Sequence, residues 1–333
     1  MWSPQPQLLL RFATAGDGDL IAAMCAQLSK DEGSPRASGF TAEVFRRDGF
    51  GPAPKFRCII AEISGKPVGY VLHCPDYDTD HLCRGIYMAD LYVEKTARGR
   101  GIGRALMAAA ADDGRQNGAV VMTWTAFRFN EPALALYRRV GHEASDLIEY
   151  AAEGAQFRDL AAAALDPQSS AFHLRPARAA DCTAIAEFLA DLQRTVGRPP
   201  VAGLAGKLRR DGFGPDPAFA AIIAETPEGV PIGYALFWQS YVTETEMTGG
   251  LLSDLYVVPA WRRRGVARAL LAAAARASAE AGGEFLVWAV DADNGHAREF
   301  YRRLSREVPE NVICSCDPEE FARLADDART WRR

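Results

Sequence analysis

The chain has 333 residues, 48% of them hydrophobic and 24% charged, and its formal net charge is −5. These fractions are typical of a soluble globular protein, and the length favours about two domains. The net negative charge argues against a nucleic-acid partner, because neutralising phosphates requires clustered lysine and arginine. No run approaches the roughly 18 apolar residues of a membrane-spanning helix, so we also expect no membrane partner.

Residues 1–10 contain no basic stretch and too short an apolar run for a signal peptide. The seven cysteines are odd in number and irregularly spaced. This pattern predicts free thiols in a reducing, cytoplasmic environment. His73, Cys74, His81 and Cys83 have none of the usual spacings of a zinc site, so we predict no metal.

The predicted elements alternate between strands and helices along the chain. The first half contains an amphipathic helix, a hairpin, a long strand, an alanine-rich helix and a further strand, near residues 18–28, 58–72, 86–93, 103–111 and 120–125. A short helix carrying Tyr137 follows. This order predicts an α/β (α+β) fold in which helices cover both faces of a mixed sheet.

The same elements recur 163 or 164 positions later. The sequence RRDGFGP at residues 46–52 returns unchanged at 209–215, and DLYV at 90–93 returns at 254–257. Asp181 is the predicted N-cap of the first helix of the second copy. The period is too long for a solenoid, whose repeats run about 20 to 50 residues. We therefore predict two domains, at residues 1–165 and 171–333, with the boundary near residue 170.

An Arg-x-x-Gly-x-Gly/Ala pattern lies between a strand and a helix in each half, at residues 98–103 and 262–267. Small residues at a helix start let backbone N–H groups approach a pyrophosphate, and the helix dipole favours the anion. Such a turn can also be only a tight turn. Here both copies follow DLYV and precede an Asn and a Tyr at equal distances, which favours anion binding. The spacing differs from a dinucleotide fingerprint.

With these motifs, both halves resemble Gcn5-related N-acetyltransferases (the GNAT superfamily), and most closely the spermidine/spermine (diamine) acetyltransferase branch. The resemblance covers nearly the whole chain. Its carriers in the first half are DGFG, AE, DLYV, FNEP and YRR, at residues 48–51, 61–62, 90–93, 129–132 and 137–139.

The resemblance implies two tandem GNAT domains with mostly antiparallel sheets, packed as an internal pseudo-dimer. It also implies that the most tightly repeated stretches hold acetyl-CoA, in a splayed gap between two strands. The implied cofactor-binding residues are Leu91, Tyr92, Val93, Arg98, Gly99, Arg100, Gly101, Ile102, Gly103, Arg104 and Asn130 in the first half and Leu255, Tyr256, Val257, Arg262, Arg263, Arg264, Gly265, Val266, Ala267, Arg268 and Asn294 in the second.

Catalytic roles also follow from the resemblance. Tyr137 and Tyr301 fall where the family's tyrosine protonates the departing thiolate, although a tyrosine on an apolar helix is often only a core residue. The diamine branch has a Glu before DLYV, where this chain has Ala89 and Ser253. Glu32 and Asp90 are the candidate acidic groups, and a solvated loop acid and a structural Asp are the alternatives.

Residues 195–197 replace the Asp31–Glu32 pair in the second half and contain no carboxylate, so we expect turnover mainly in the first half. Further acids that could attract a cation are Asp76, Asp78, Asp80, Glu244 and Glu246. The sequence thus predicts transfer of acetyl from acetyl-CoA to a primary amine of a small molecule. Acetylation of a protein N-terminus or lysine is one alternative, and a regulatory CoA-binding module is another.

Overall fold

The computed structural model describes residues 7–33, 39–163, 171–195, 197, 202–243 and 247–331. The strands in these residues are β1 Leu8–Phe12, β2 Arg57–Ile63, β3 Lys66–Asp78, β4 Cys83–Val93, β5 Val121–Phe127, β6 His142–Glu143, β7 Leu147–Glu153, β8 His173–Pro176, β9 Ala220–Glu225, β10 Pro231–Val242, β11 Met247–Val257, β12 Phe285–Asp291, β13 Arg306–Val308 and β14 Asn311–Cys316.

The helices are α1 Gly18–Asp31, α2 Ala42–Phe50, α3 Ile102–Gln116, α4 Glu131–Tyr137, α5 Gly154–Ala163, α6 Cys182–Thr195, α7 Leu204–Phe213, α8 Val266–Glu280, α9 Gly295–Tyr301 and α10 Pro318–Trp331. No helix in the described part of the chain has the length and hydrophobicity that crossing a bilayer requires.

Two seven-stranded sheets form, in the orders β1-β2-β3-β4-β5-β14-β6 and β13-β7-β12-β11-β10-β9-β8. Neighbouring strands are antiparallel except for β4 with β5 and β11 with β12, which are parallel. Helices α1 and α2 cover one face of the first sheet and α3 with α10 cover the other, whereas α6 with α7 and α5 with α8 cover the second sheet. The predicted fold class is confirmed.

The two repeats exchange their last strand and helix. Strand β14 of the second repeat pairs with β5 of the first, from Asn311 opposite Phe127 to Cys316 opposite Met122. Strand β7 of the first repeat pairs with β12 of the second in the same way, and α10 and α5 pack on α3 and α8. Each sheet is therefore built from both repeats. The predicted boundary near residue 170 lies outside the described residues, and the 1–165 and 171–333 division stays a prediction.

The repeated stretch at residues 46–52 forms the end of α2 and contacts the other half. Asp48 is buried, and its carboxylate accepts a hydrogen bond from the Tyr241 hydroxyl (3.0 Å) and lies 3.1 Å from Lys55 Nζ. The second copy repeats the contact, because the Tyr77 hydroxyl donates to Asp211 (3.1 Å). In both copies the aspartate of this stretch therefore contacts the other half.

The predicted N-cap at Asp181 needs a correction. Helix α6 begins directly after Asp181, but the carboxylate accepts from the backbone N–H of Arg178 (2.7 Å) and pairs with Arg175 (2.7 Å). The side chain thus closes the turn before the helix and ties it to β8, because these upstream donors already occupy it.

The long hairpins β3–β4 and β10–β11 reach across the interface. At the tip of the first, the Thr79 hydroxyl lies 2.7 Å from the Ser253 hydroxyl and donates to Asp254. At the tip of the second, the Thr243 hydroxyl donates to Asp90. The contacts repeat about a pseudo-twofold axis, the pattern of an isologous interface. Each half thereby contacts the candidate site of the other.

Candidate active site

Strands β4 and β5 separate shortly after they meet. They pair only from Gly85 opposite Val121 to Tyr87 opposite Thr123, and β11 and β12 pair only at residues 250–251. Beyond these points the two strands of each pair form no further backbone pairing, and they diverge. This divergence leaves a gap beside residues 91–93 and 255–257, where the sequence predicts the cofactor.

Backbone groups of β4 face this gap. The Glu94 N–H donates to Val68 on β3 (2.8 Å), and successive residues of a strand point to opposite edges. The backbone N–H groups of Leu91 and Val93 therefore lie on the gap edge, where the Val93 carbonyl accepts from Arg98 (2.8 Å). In the second half the Val258 N–H donates to Ile232 (3.0 Å), which places Leu255 and Val257 equivalently.

The turn before α3 presents unpaired N–H groups. The first hydrogen bond of the helix runs from the Ala105 N–H to the Gly101 carbonyl (3.0 Å), so the N–H groups of the first turn have no partner within the helix. Gly99 and Gly101 have φ values of 77° and 79°, and a Cβ at Gly99 would meet no atom within 4 Å. The turn is open and strained for any residue with a side chain, and it fits a pyrophosphate.

The second turn has the same shape. Gly265 has φ 85° before α8, and the Ala269 N–H donates to its carbonyl (3.0 Å). Arg263, which occupies the position of Gly99, also has a positive φ of 59°. A non-glycine residue in this region costs about 1–2 kcal/mol, and the second turn nevertheless keeps the backbone conformation of the first.

Several predicted cofactor residues contact the protein itself. Arg98 lies 2.6 Å from the Asp31 carboxylate, and Arg104 lies 2.6 Å from Asp327 on the exchanged helix α10. In the structure these two arginines form ion pairs within the protein, and their contact with phosphate remains a prediction. The side chains of Ile102 and Val266 are buried in the two cores, so these positions offer only backbone to a ligand. The remaining arginines of the two turns are exposed, namely Arg100, Arg262, Arg263, Arg264 and Arg268.

Gly103, in the first turn of α3, packs closely against α4, the helix that carries Tyr137. A Cβ at Gly103 would lie 3.0 Å from the Leu136 side chain, and Leu136 precedes Tyr137 on α4. Asn130 begins α4 and accepts from the Ala133 N–H (3.3 Å), and Asn294 begins α9 with the same bond to Ala297 (3.1 Å). Close packing and capping thus hold α4 against the start of α3.

Tyr137 and Tyr301 are buried and line the cavity between the halves. The Tyr137 ring packs edge-on to Trp124 with centroids 5.3 Å apart, and Tyr301 packs against Trp288 at 5.1 Å. Burial, followed by the negative charge of Glu32, raises the pKa of Tyr137. The hydroxyl therefore keeps its proton at neutral pH and can donate it.

The acidic pair predicted at residues 31–32 is divided. Burial acts to raise the pKa of Asp31, but hydrogen bonds from Lys95, Gln27 and Arg98 outweigh this effect, so the pKa is lowered. Glu32 lines the cavity with Tyr137. Asp90 is buried and accepts from Tyr70 (2.7 Å) as well as Thr243. These bonds hold Asp90 in the interface between the halves, so Glu32 remains as the other predicted acid, and it lines the cavity together with Tyr137.

Asp254, the counterpart of Asp90, is an acid that sequence reasoning missed. It lines the cavity, and burial raises its pKa to about 7. Asp254 begins the second copy of DLYV, as Asp90 begins the first, and this repeat could have identified it as a candidate acid. Ser253 and Ala89, which replace the branch's Glu, sit at irregularities in the strand register. Glu244 and Glu246 lie outside the described residues.

The cavity has a volume of about 910 Å³ and is lined by both halves. Its carboxylates come from loops and strands of both repeats, and they are Glu32, Asp76, Asp78, Asp80, Asp90, Glu149, Glu153, Asp254, Asp291 and Glu310. Arg306 is the single lysine or arginine among the described lining residues. The excess of carboxyl groups makes the cavity acidic, which suits a cation. Burial raises the pKa of Asp76 to about 6 and those of Glu149 and Asp254 to about 7, so these three groups are partly protonated at neutral pH.

Histidine and cysteine do not assemble into a metal site in the described residues, where no group of three or more potential ligands occurs. His73 is buried with its Nε2 3.2 Å from Asp113. All seven cysteines are free thiols, as predicted.

The sequence profile of the acetyltransferase (GNAT) family matches residues 21–142 and 190–305. The chain belongs to this family and carries two of its domains in tandem. It is an acetyl-CoA-dependent N-acetyltransferase.

Curated relatives and solved structures agree with this assignment. Thialysine N-epsilon-acetyltransferase of Bos taurus is 31% identical over 168 residues, which cover 46% of this chain and 97% of the relative. Spermidine/spermine N(1)-acetyltransferase-like protein 1 of Homo sapiens is 35% identical over 29% of this chain and 15% of its own length. A tandem GNAT protein from the clavulanic acid biosynthesis pathway superposes with a TM-score of 0.50 at 18% identity, covering 94% of this chain and 99% of that one, and shares the fold.

Proposed function

We propose that this enzyme transfers the acetyl group of acetyl-CoA to a primary amine of a small cationic molecule, mainly in its first half. The observation that carries this proposal is the acidity of the cavity, which is lined by ten aspartate and glutamate residues and by one arginine. A cavity lined by one sign of charge concentrates ligands of the opposite sign. The names of the thialysine and spermidine/spermine relatives support the same substrate class.

The residues of the first half fit both reactants. The turn at residues 98–104 offers free N–H groups to the pyrophosphate, and the N–H groups of Leu91 and Val93 offer donors to a carbonyl oxygen. Acetyl-CoA, when bound, supplies the activated acetyl group. Tyr137 holds a proton on its hydroxyl for the leaving group. An alkylammonium with a pKa near 10.4 must lose a proton, and Glu32 is the candidate acceptor.

An amine panel tests the proposal. The full chain is incubated with acetyl-CoA and, separately, with small cationic amines, neutral amines, and peptides bearing a free N-terminus or a lysine. Release of CoA and the mass of the product are both measured. We expect small cationic amines to be acetylated with the highest kcat/KM. If peptides are acetylated best, the proposed substrate class is wrong and the protein-directed alternative takes its place.

A further inference from the structure

The tips of the two long hairpins make one contact that occurs in both copies of the repeat. A threonine at the end of β3 or β10 donates its hydroxyl proton to the buried aspartate that begins DLYV in the other half. In the first half the aspartate is Asp90 and the donor is Thr243, and in the second half they are Asp254 and Thr79. The two threonines occupy matching positions of the repeat, as the two aspartates do, so the contact follows the pseudo-twofold axis.

The carboxylate of Asp90 is bound from both halves of the chain. Its Oδ2 accepts a hydrogen bond from the hydroxyl of Tyr70 on β3 of the same half (2.7 Å), and its Oδ1 accepts from Thr243 of the other half. All three side chains are buried. A buried carboxylate is costly without its hydrogen-bond donors, because it has given up water. The placement of Asp90 therefore depends in part on a hydroxyl that the second half supplies.

Asp90 lies next to an irregularity of β4. Consecutive residues of β3 lie opposite Asp90 and Met88, so Ala89 is an extra residue in β4. Such a β-bulge changes the direction of the strand that follows it. Leu91 comes directly after Asp90, and its backbone N–H lies on the gap edge where the acetyl carbonyl is expected. A bond to Asp90 thereby holds the backbone beside the N–H groups that the proposed chemistry uses.

The same contact is looser in the second half. The Thr79 hydroxyl lies 2.7 Å from the Ser253 hydroxyl and 3.3 Å from Asp254. In the first half Ala89 takes the place of Ser253 and offers no hydroxyl, and the threonine approaches its aspartate more closely. The threonine–aspartate bond is thus the shorter one in the half to which the proposed function assigns most of the turnover.

From these contacts we propose that Thr243 is a positioning residue for acetyl transfer in the first half. Its hydroxyl fixes Asp90, and Asp90 fixes the backbone from which the Leu91 N–H meets the acetyl carbonyl. The first site is therefore complete only when the hairpin of the second half is docked on it, which gives the second half a task even where its own turnover is small. The inference rests on the proposed function, because it takes the Leu91 N–H as a donor to that carbonyl.

The Thr243→Val variant of the full chain tests the proposal. It keeps the shape of the side chain and removes the hydroxyl, so one oxygen of Asp90 loses its donor. We expect kcat to fall roughly ten- to a hundredfold, the size of one hydrogen bond to a charged group. KM for acetyl-CoA should stay within about twofold, because the pyrophosphate turn is separate and the carbonyl donors act mainly on the transition state. Thr243→Ser, which retains a hydroxyl, should restore most of kcat.

Tyr241→Phe is the matched control. Tyr241 lies on the same hairpin, and its hydroxyl also donates to a buried aspartate of the first half. This aspartate, Asp48, lies on α2 and not on a strand beside the gap. We expect Tyr241→Phe to keep kcat within about twofold, although it too removes a hydrogen bond between the halves. Equal losses of kcat in Tyr241→Phe and Thr243→Val would overturn the inference, and so would an unchanged kcat in Thr243→Val.

Hydrogen exchange gives a second readout, which needs no turnover. In Thr243→Val we expect a peptide covering residues 88–94 to exchange several-fold faster than in the wild type, and in Tyr241→Phe its rate should hold. Unchanged exchange in Thr243→Val would overturn the inference. The kinetic assay uses the acceptor that the wild type acetylates best, so a preference for peptides would refute the proposed substrate class and leave this test intact. If no acceptor is acetylated, the proposed function fails, and exchange alone decides whether Thr243 holds the strand.

Discussion

Replacing Tyr137 by Phe should lower turnover by about ten- to ten-thousand-fold, the range expected for loss of a general acid. The substitution keeps the ring that packs against Trp124 and removes only the hydroxyl. Because burial raises the pKa of Tyr137, the wild-type hydroxyl is a proton donor at neutral pH and not a structural phenolate. Folding and acetyl-CoA affinity should hold, as measured by thermal unfolding and by titration.

Tyr301→Phe is the matched control. Tyr301 has the same burial and the same neighbouring tryptophan, but it lies in the half without a counterpart of Glu32. We expect this variant to retain most of the turnover. Unchanged turnover in Tyr137→Phe would return Tyr137 to the role of a core residue.

Replacing Gly101 by Glu should remove most of the activity. The added carboxylate would stand in the turn where the pyrophosphate is expected, and placing like charges together costs several kcal/mol, or roughly a hundredfold or more in affinity. Steady-state assays with acetyl-CoA as the varied substrate measure the loss. We expect KM for acetyl-CoA to rise steeply.

Gly265→Glu is a close control, because both glycines precede a helix with similar φ values of 79° and 85°. Each substitution thus adds similar backbone strain of about 1–2 kcal/mol, and a difference in activity reports function. We expect Gly265→Glu to leave most of the activity. If the two variants lose similar amounts, or Gly265→Glu loses more, the second half turns over. In that case Asp254, Asp291 and Asp293 become the acids to test.

Much of the fold follows from local patterns. The sequences of residues 98–103 and 262–267 predict the two turns before α3 and α8, because only glycine adopts positive φ without strain and a helix start leaves N–H groups free. The hairpins, the alanine-rich helices and the positions of Tyr137 and Tyr301 follow from hydrophobic periodicity and from the repeat. These features depend on residues close together in the sequence, so the sequence contains their signal.

Other features depend on contacts between the repeats. Nothing local distinguishes a β7 that completes its own sheet from one that pairs with β12, because the same apolar face is buried in either case. Arg104 looks like a phosphate ligand until α10 brings Asp327 to it. Glu149 reads as an ordinary strand carboxylate until Asn311 is placed beside it from the other sheet. The cavity, and hence its charge, exists only after the exchange.

The central claim is that both halves bind acetyl-CoA while the first performs most of the turnover. Isothermal titration of acetyl-CoA, with turnover measured on the same samples, tests it most directly. We expect two sites per chain in the wild type and one in each of Gly101→Glu and Gly265→Glu, with most turnover retained only in Gly265→Glu. A single wild-type site that survives Gly265→Glu and disappears in Gly101→Glu would contradict cofactor binding by the second half. Equal turnover in the two variants would contradict the division of labour.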